Sequence, residues 1–241
     1  MAASRGPQLV FGANAGQYAV HRPGYPDDAV SWALGLDRPA RVLDLGAGTG
    51  KLTASVLTAG HDAVAVEPDT EMLAELTTAI PGVTALTGSA EDIPLPDADV
   101  DAVLAGQVLH WVDGARAYPE IARVLRPGGV VAGLWNSDEL RWIEKVSRGD
   151  TSQEEPFEWR GYFPVDLFTD EAQRSFANPQ QHTIDSLMST IATHSAYLRL
   201  DEVQRAARLS STRAALLHVF GDSTRTFEIP ARTYVIRAVK R

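Results

Sequence analysis

The sequence predicts an α/β protein whose mostly parallel sheet is covered by helices on both faces. Five short apolar runs alternate with segments of helical periodicity, and the first run ends in a cluster of glycines. The third observation is composition: 241 residues, 44% hydrophobic and 22% charged, are enough to bury one sizeable core. The whole chain is expected to fold as a single domain. A formal charge of −9 and scattered arginines oppose a phosphate backbone, which disfavours a nucleic-acid partner. With no cysteine, disulfides, thiolate metal sites and thiol nucleophiles are excluded, and no metal is expected. No stretch approaches the roughly 20 apolar residues that span a bilayer, and Met1 to Gly16 lacks a signal-peptide core. The expectation is a cytoplasmic protein with no membrane partner.

The first strand is Arg41 to Leu45, a buried apolar run entering a tight turn. Leu52, Val56 and Leu57 recur at helical spacing until Gly60, and Ala63 to Val66 forms a second strand ending at Glu67. Asp69 can cap a helix bearing Met72, Leu73, Leu76 and Ile80, after which Pro81-Gly82 turns the chain into a third strand, Val83 to Leu86. Asp101 to Ala105 reads as the fourth strand, Ala115 to Leu125 as a helix ended by Pro127-Gly128-Gly129, and Val130 to Trp135 as the fifth strand. Beyond Asn136 the rhythm changes, and Ser147 to Glu158 is polar without a period, so a loop or lid is expected. Ile184, Leu187, Met188 and Ile191 share a helix face, and Val203 to Leu217 is a second amphipathic pattern capped by Asp201. These helices could roof a pocket. Thr226 to Val239 alternates and is rich in β-branched residues, which predicts a terminal strand.

Asp44-Leu45-Gly46-Ala47-Gly48-Thr49-Gly50 lies between a buried strand and a helix. Glycines let the backbone turn sharply and approach a ligand, and the helix start offers unpaired N–H groups. Glu67, at the tip of the next strand, stands where a carboxylate can accept from both hydroxyls of a ribose. The spacing Gly-x-Gly-x-Gly differs from that of dinucleotide loops, and Asp44 would repel a pyrophosphate while suiting a cationic amino-acid moiety. A nicotinamide dinucleotide is therefore disfavoured.

At these residues the chain resembles the class I S-adenosylmethionine-dependent methyltransferases, and the resemblance covers nearly all of it. Asp44 to Gly50, with Gly46, Ala47, Gly48 and Gly50, is similar to the family's first motif, and Glu67 to its ribose-binding acid. Gly88 to Pro94 is similar to the segment that lines the adenine, through Ser89, Ala90 and Glu91. Many relatives carry Asp where this chain has Ser89, so a carboxylate for the adenine amino group is absent. Val124 to Gly129 resembles the turn before the fifth strand. Tyr18, Arg22-Pro23 and Tyr25-Pro26 at the start, with Pro230, Arg232, Thr233 and Tyr234 at the end, resemble a branch similar to trans-aconitate methyltransferases and other small-molecule enzymes.

The resemblance implies a Rossmann-like seven-stranded sheet of order 3-2-1-4-5-7-6 with the last strand antiparallel, plus a small helical lid. It implies a methyltransferase domain divided into a cap segment (1–35), a cofactor-binding core (36–140), a lid with C-terminal helices (141–222) and a terminal strand (223–241). The implied cofactor is S-adenosylmethionine, with S-adenosylhomocysteine as product and a small molecule as acceptor. Pro68 and Met72 after Glu67, and Gly106 and Gln107 after the fourth strand, are further implied cofactor contacts. Tyr18 and Arg22, four residues apart, would share a helix face and could close over the cofactor carboxylate.

Ligands of open α/β sheets bind beyond the carboxyl ends of the strands, so Ala105 to Trp111 should face the transferring methyl. His110 is the candidate general base; the alternative is that it packs the mouth of the sheet. Trp111, Trp135 and Tyr162 are candidate walls for an acceptor, as are Trp142, Trp159 and Tyr197, with core packing the alternative for each. A protein that keeps the cofactor but has lost transfer, serving as a regulator or catalysing another reaction, stays open as a second reading.

Overall fold

A computed structural model describes residues 22–137, 139–149 and 161–241. Seven strands form one sheet, and among the described residues it is flanked by helices on both sides. In chain order these are β1 (Arg41–Leu45), β2 (Asp62–Glu67), β3 (Thr84–Thr87), β4 (Val100–Gly106), β5 (Leu125–Asn136), β6 (Phe168–Ala177) and β9 (Arg232–Lys240). Their spatial order is β3-β2-β1-β4-β5-β9-β6. β1 to β5 run parallel, and β9, the seventh strand of this sheet, is antiparallel to both β5 and β6. The fold is thus the Rossmann-like one, with the expected order and the expected reversed last strand.

Neighbouring residues of each central strand point to opposite sides, so two cores form from one sheet. Leu43, Val103, Val131 and Ile236 join α4 (Gly114–Val124), through Ala117 and Ile121, on one face. Val42, Ala102, Ala132 and Val235 join α1 (Asp27–Leu34) and α2 (Lys51–Thr58), through Val30, Leu34, Leu52 and Val56, on the other. α3 (Thr70–Ala79) closes the β2 side with Leu76 against Ala47 and Ala65. The caps follow the sequence: Asp69 accepts from the N–H groups of Glu71 and Met72, and Asp201 from that of Gln204.

A separate apolar cluster builds the lid. α5 (Glu139–Ser147), α6 (Ile184–Ala192), the short α7 (Ser195–Leu198) and α8 (Glu202–Phe220) meet a two-stranded ribbon of β7 (Gln180–His182) and β8 (Phe227–Ile229). Ile143, Ile184, Leu187, Tyr197, Leu216 and Phe227 fill it.

Two expectations change. The terminal segment is two strands, because Pro230 has no N–H to continue a ladder: β8 ends before it in the lid ribbon and β9 begins after it in the main sheet. The fifth strand starts at Leu125 rather than Val130, since Leu125 already pairs with Val100 and the Pro-Gly-Gly stretch is absorbed as a register shift. β6 and β7 carry no alternating apolar pattern, and β6 is an edge strand with most of its residues at least partly exposed. The segment expected as a loop lies mainly outside the described residues. Among the described residues no helix is long and apolar enough to cross a membrane.

Candidate cofactor and acceptor site

The glycine loop is shaped by its own hydrogen bonds. Gly46, Gly48 and Gly50 have φ of 69°, 55° and 88°, a region that costs other residues. The N–H groups of Gly46 and Ala47 donate to the Val66 carbonyl at 2.8 and 3.1 Å, which ties the loop to the end of β2. Glu67 completes the clasp: its Oε2 accepts from Gly48 N–H at 2.8 Å and its Oε1 from Asp69 N–H at 2.9 Å. Burial pushes the Glu67 pKa up, against those two donors. At Gly50 a Cβ would lie 2.9 Å from Leu76 Cγ, so the absence of a side chain lets α3 pack closely against the loop.

Two cavities open at the carboxyl ends of the strands and meet at Gly46, Gly48, Gly106, Gln107 and Trp111. The smaller, of about 120 Å³, takes in Glu67, Pro68, Met72, Ser89, Ala90 and Glu91, with Val108 and Val112. The larger, of about 300 Å³, has the polar wall: Arg22, Asp44, Lys51, His110, Glu139 and His194. Gln107, at the junction, is held at φ 62° although it carries a side chain, and its N–H donates to the Leu134 carbonyl at 2.9 Å.

The larger cavity carries buried polar atoms without a protein partner among the described residues. Asp44 is buried, receives the Thr53 hydroxyl on Oδ2 at 2.6 Å, and has no hydrogen-bond partner on Oδ1. Burial raises its pKa to about 7. Thr49 Oγ1 is likewise buried without a partner in the same wall. Lys51, the first residue of α2, faces the cavity with its pKa lowered by burial and no acid against it among the described residues. Such a wall can take a zwitterion: a carboxylate suits a cation, and beside it a hydroxyl and an ammonium suit an anion.

In the smaller cavity Ser89 is drawn into a local turn. Its Oγ accepts from Glu91 N–H at 3.3 Å. Burial would raise the Glu91 carboxyl, but Asp113 N–H and the Ser89 hydroxyl hold its pKa below the ordinary value.

Several residues stand elsewhere than the sequence suggests. Trp135 and Tyr162 are not in the wall of either cavity; they meet edge to face at 5.6 Å and pack on the core cluster of Phe163 and Phe168. Trp142 stacks with Phe227 at 5.8 Å inside the lid, and Tyr197 is buried there. Tyr18 and Trp159 lie outside the described residues. Arg22 does line the larger cavity, with Nη1 3.0 Å from His194 Nε2 and 3.9 Å from Glu139 Oε2. Glu139 and His194, 3.1 Å apart, had no sequence signal: they stand on separate lid segments, and neither falls in a motif. Lys51 had one, being the residue that follows the glycine loop at the start of a helix.

A doubly wound sheet with a glycine loop, an acid at the tip of the second strand and a cavity at the strand ends is the arrangement of α/β domains that bind nucleoside cofactors. Residues 43–133 match the methyltransferase domain family. An uncharacterized methyltransferase of Mycobacterium tuberculosis is 43% identical over 221 residues, spanning 80% of this chain and 89% of that one. The chain belongs to this methyltransferase family and is an enzyme of that class. Its fold is similar to that of a protein of Anaeromyxobacter dehalogenans provisionally described as a type II methyltransferase, with TM-score 0.62 and 23% identity over 91% of this chain and 96% of that chain. It is also similar in fold to Haemonchus contortus phosphoethanolamine N-methyltransferase 2 in complex with S-adenosyl-L-methionine, with TM-score 0.54 and 16% identity over 95% of this chain and 57% of that one.

Proposed function

We propose that the chain binds S-adenosylmethionine across the two cavities and transfers its methyl group to a small-molecule acceptor in the larger one. The observation that carries this reading is the unpartnered Asp44 Oδ1 at the mouth of the glycine loop. A buried carboxylate oxygen there suits the ammonium of the cofactor's amino-acid end, with Lys51 and Thr49 placed for its carboxylate. Ribose hydroxyls would use the remaining lone pairs of Glu67, and the base would lie between Met72 and Ala90 in the smaller cavity. When bound, the sulfonium supplies an activated methyl; the protein's task is alignment of the acceptor with it, which Gly106, Gln107 and Trp111 serve at the cavity junction. The charge of −9 fits a small acceptor better than a nucleic acid.

The test is binding followed by turnover. S-adenosylhomocysteine should raise the melting temperature, and S-adenosylmethionine with a panel of carboxylic acids, phenols and amines should release S-adenosylhomocysteine. Binding of NADH with no binding of either adenosyl ligand would overturn the cofactor; binding without any release would favour a protein that has lost transfer. Glu67→Ala is expected to weaken S-adenosylhomocysteine by roughly 1 to 3 kcal/mol in calorimetry, with the circular-dichroism spectrum retained. Unchanged affinity would remove the ribose role.

A further inference from the structure

We propose that His110 is a hydrogen-bond donor to the bound acceptor rather than its base, because Trp135 fixes the ring proton on Nε2. This rests on the methyl-transfer reading above and adds a role that the reading leaves open.

An indole N–H can only donate. Trp135 Nε1 stands 3.1 Å from His110 Nδ1, so Nδ1 is the acceptor of that bond and holds no proton. A neutral imidazole carries one proton, which must then sit on Nε2. His110 belongs to the wall of the larger cavity and Trp135 does not; with Nδ1 taken by the indole, Nε2–H is the group left for a ligand.

The donor is itself held in place. Trp135 lies on β5, where a side chain at Gly133 would collide with the indole ring, and Tyr162 abuts its other edge. The His110 ring also leans on Trp111, 4.9 Å between centroids. Partial burial lowers the His110 pKa, which favours the neutral ring. Of the other charged groups on the cavity wall, Asp44 takes the Thr53 hydroxyl and Glu139 stands beside His194 and Arg22, while Lys51 is cationic. Arg199 lies over the Trp111 ring at 5.4 Å. No carboxylate contributes to the His110 shift.

A general base must offer a lone pair on the side where the proton arrives. Here that side offers N–H. The role that remains is to grip an oxygen of the acceptor and so point its nucleophilic atom at the methyl. In the transfer that atom bonds to the methyl carbon as the carbon–sulfur bond breaks and its electron pair stays on sulfur. Any proton the acceptor carries leaves to water and not to His110.

The test uses the full chain, ¹⁵N-labelled and saturated with S-adenosylhomocysteine, whose binding is measured by calorimetry in the same sample. Long-range ¹H–¹⁵N spectra, with His110 assigned by loss of its signals in His110→Gln, should show a protonated Nε2 and a bare Nδ1 above roughly pH 7. Trp135→Phe, which removes the indole N–H and keeps a ring, should let the proton redistribute between the two nitrogens. A protonated Nδ1 with bare Nε2 in the wild type would overturn the assignment even when no acceptor is known, while absence of ligand binding would instead count against the methyl-transfer reading. With an acceptor in hand, His110→Gln, which still donates, should stay within about 3-fold of wild-type kcat/KM, whereas His110→Phe should lose about 10-fold or more through KM. A base would lose about 100-fold in both variants, with the acid limb of the pH profile abolished, and that pattern would also refute the donor role.

Discussion

Replacing Asp44 by Asn is expected to stabilise the ligand-free protein and at the same time to weaken S-adenosylhomocysteine binding about 10- to 100-fold. Both effects come from one buried oxygen. Burial raises the Asp44 pKa from 3.8 to about 7, so the folded protein holds this proton more tightly than the unfolded chain. A raised carboxylate pKa means stability that is full below the unfolded value near 4 and is lost as pH climbs through about 7. At neutral pH and above, the ionised side chain costs on the order of 4 kcal/mol, which a neutral amide avoids. The cofactor ammonium has the opposite interest, since it needs the ionised form. Wild-type affinity should therefore weaken by up to about tenfold per pH unit below 7, and the Asn variant should lose that slope. Calorimetry across pH with paired melting curves decides it: equal affinity in both proteins would remove Asp44 from the ammonium site.

Gly46→Ala should nearly abolish cofactor binding, by about 100-fold or more, in a protein that still folds. Gly46 sits where the two cavities join, and a Cβ there would lie 2.5 Å from Val108 Cγ2. The Val108 side chain must then move within the smaller cavity, whose wall it forms. The φ of 69° adds backbone strain of order 1 kcal/mol. The double variant Gly46→Ala, Val108→Ala separates the two causes. It restores room but not backbone freedom, so recovery of most of the affinity would assign the loss to crowding. No recovery would assign it to a loop that has left its shape.

The parallel core was legible because its signal is local. Arg41 to Leu45 is short, carries Val42, Leu43 and Leu45, and is followed by glycines, and buried strands leave that trace whatever lies beside them. The edge strand β6 left no such trace: pairing on one side only and facing water along much of its length, Phe168–Ala177 has little reason to be apolar. The division of the terminal segment at Pro230 is not legible, because the β-branched residues on both sides of it form one continuous strand-like pattern. At the site, residues of the glycine loop and Glu67 were legible because adjacent segments build that corner. Glu139 and His194 were not, because their meeting depends on how the lid helices pack, and no local pattern encodes that. The identity of His110 as a cavity residue was readable, but its tautomer was not, since it depends on an indole 25 residues away.

Glu67 reaches the loop before any ligand does. Its two oxygens already hold the backbone of Gly48 and Asp69, and Val66 already holds that of Gly46 and Ala47. Fixing a loose backbone costs about 1 to 2 kcal/mol per residue, and here folding has met that cost in advance. If the loop receives a nucleoside as proposed, that ligand would meet a backbone already ordered, so little of the interaction free energy would be diverted to ordering the loop and more of it would appear as affinity. A loop ordered in this way would hold spent and fresh adenosyl ligands alike, and exchange between them would fall to the other residues of the two cavities.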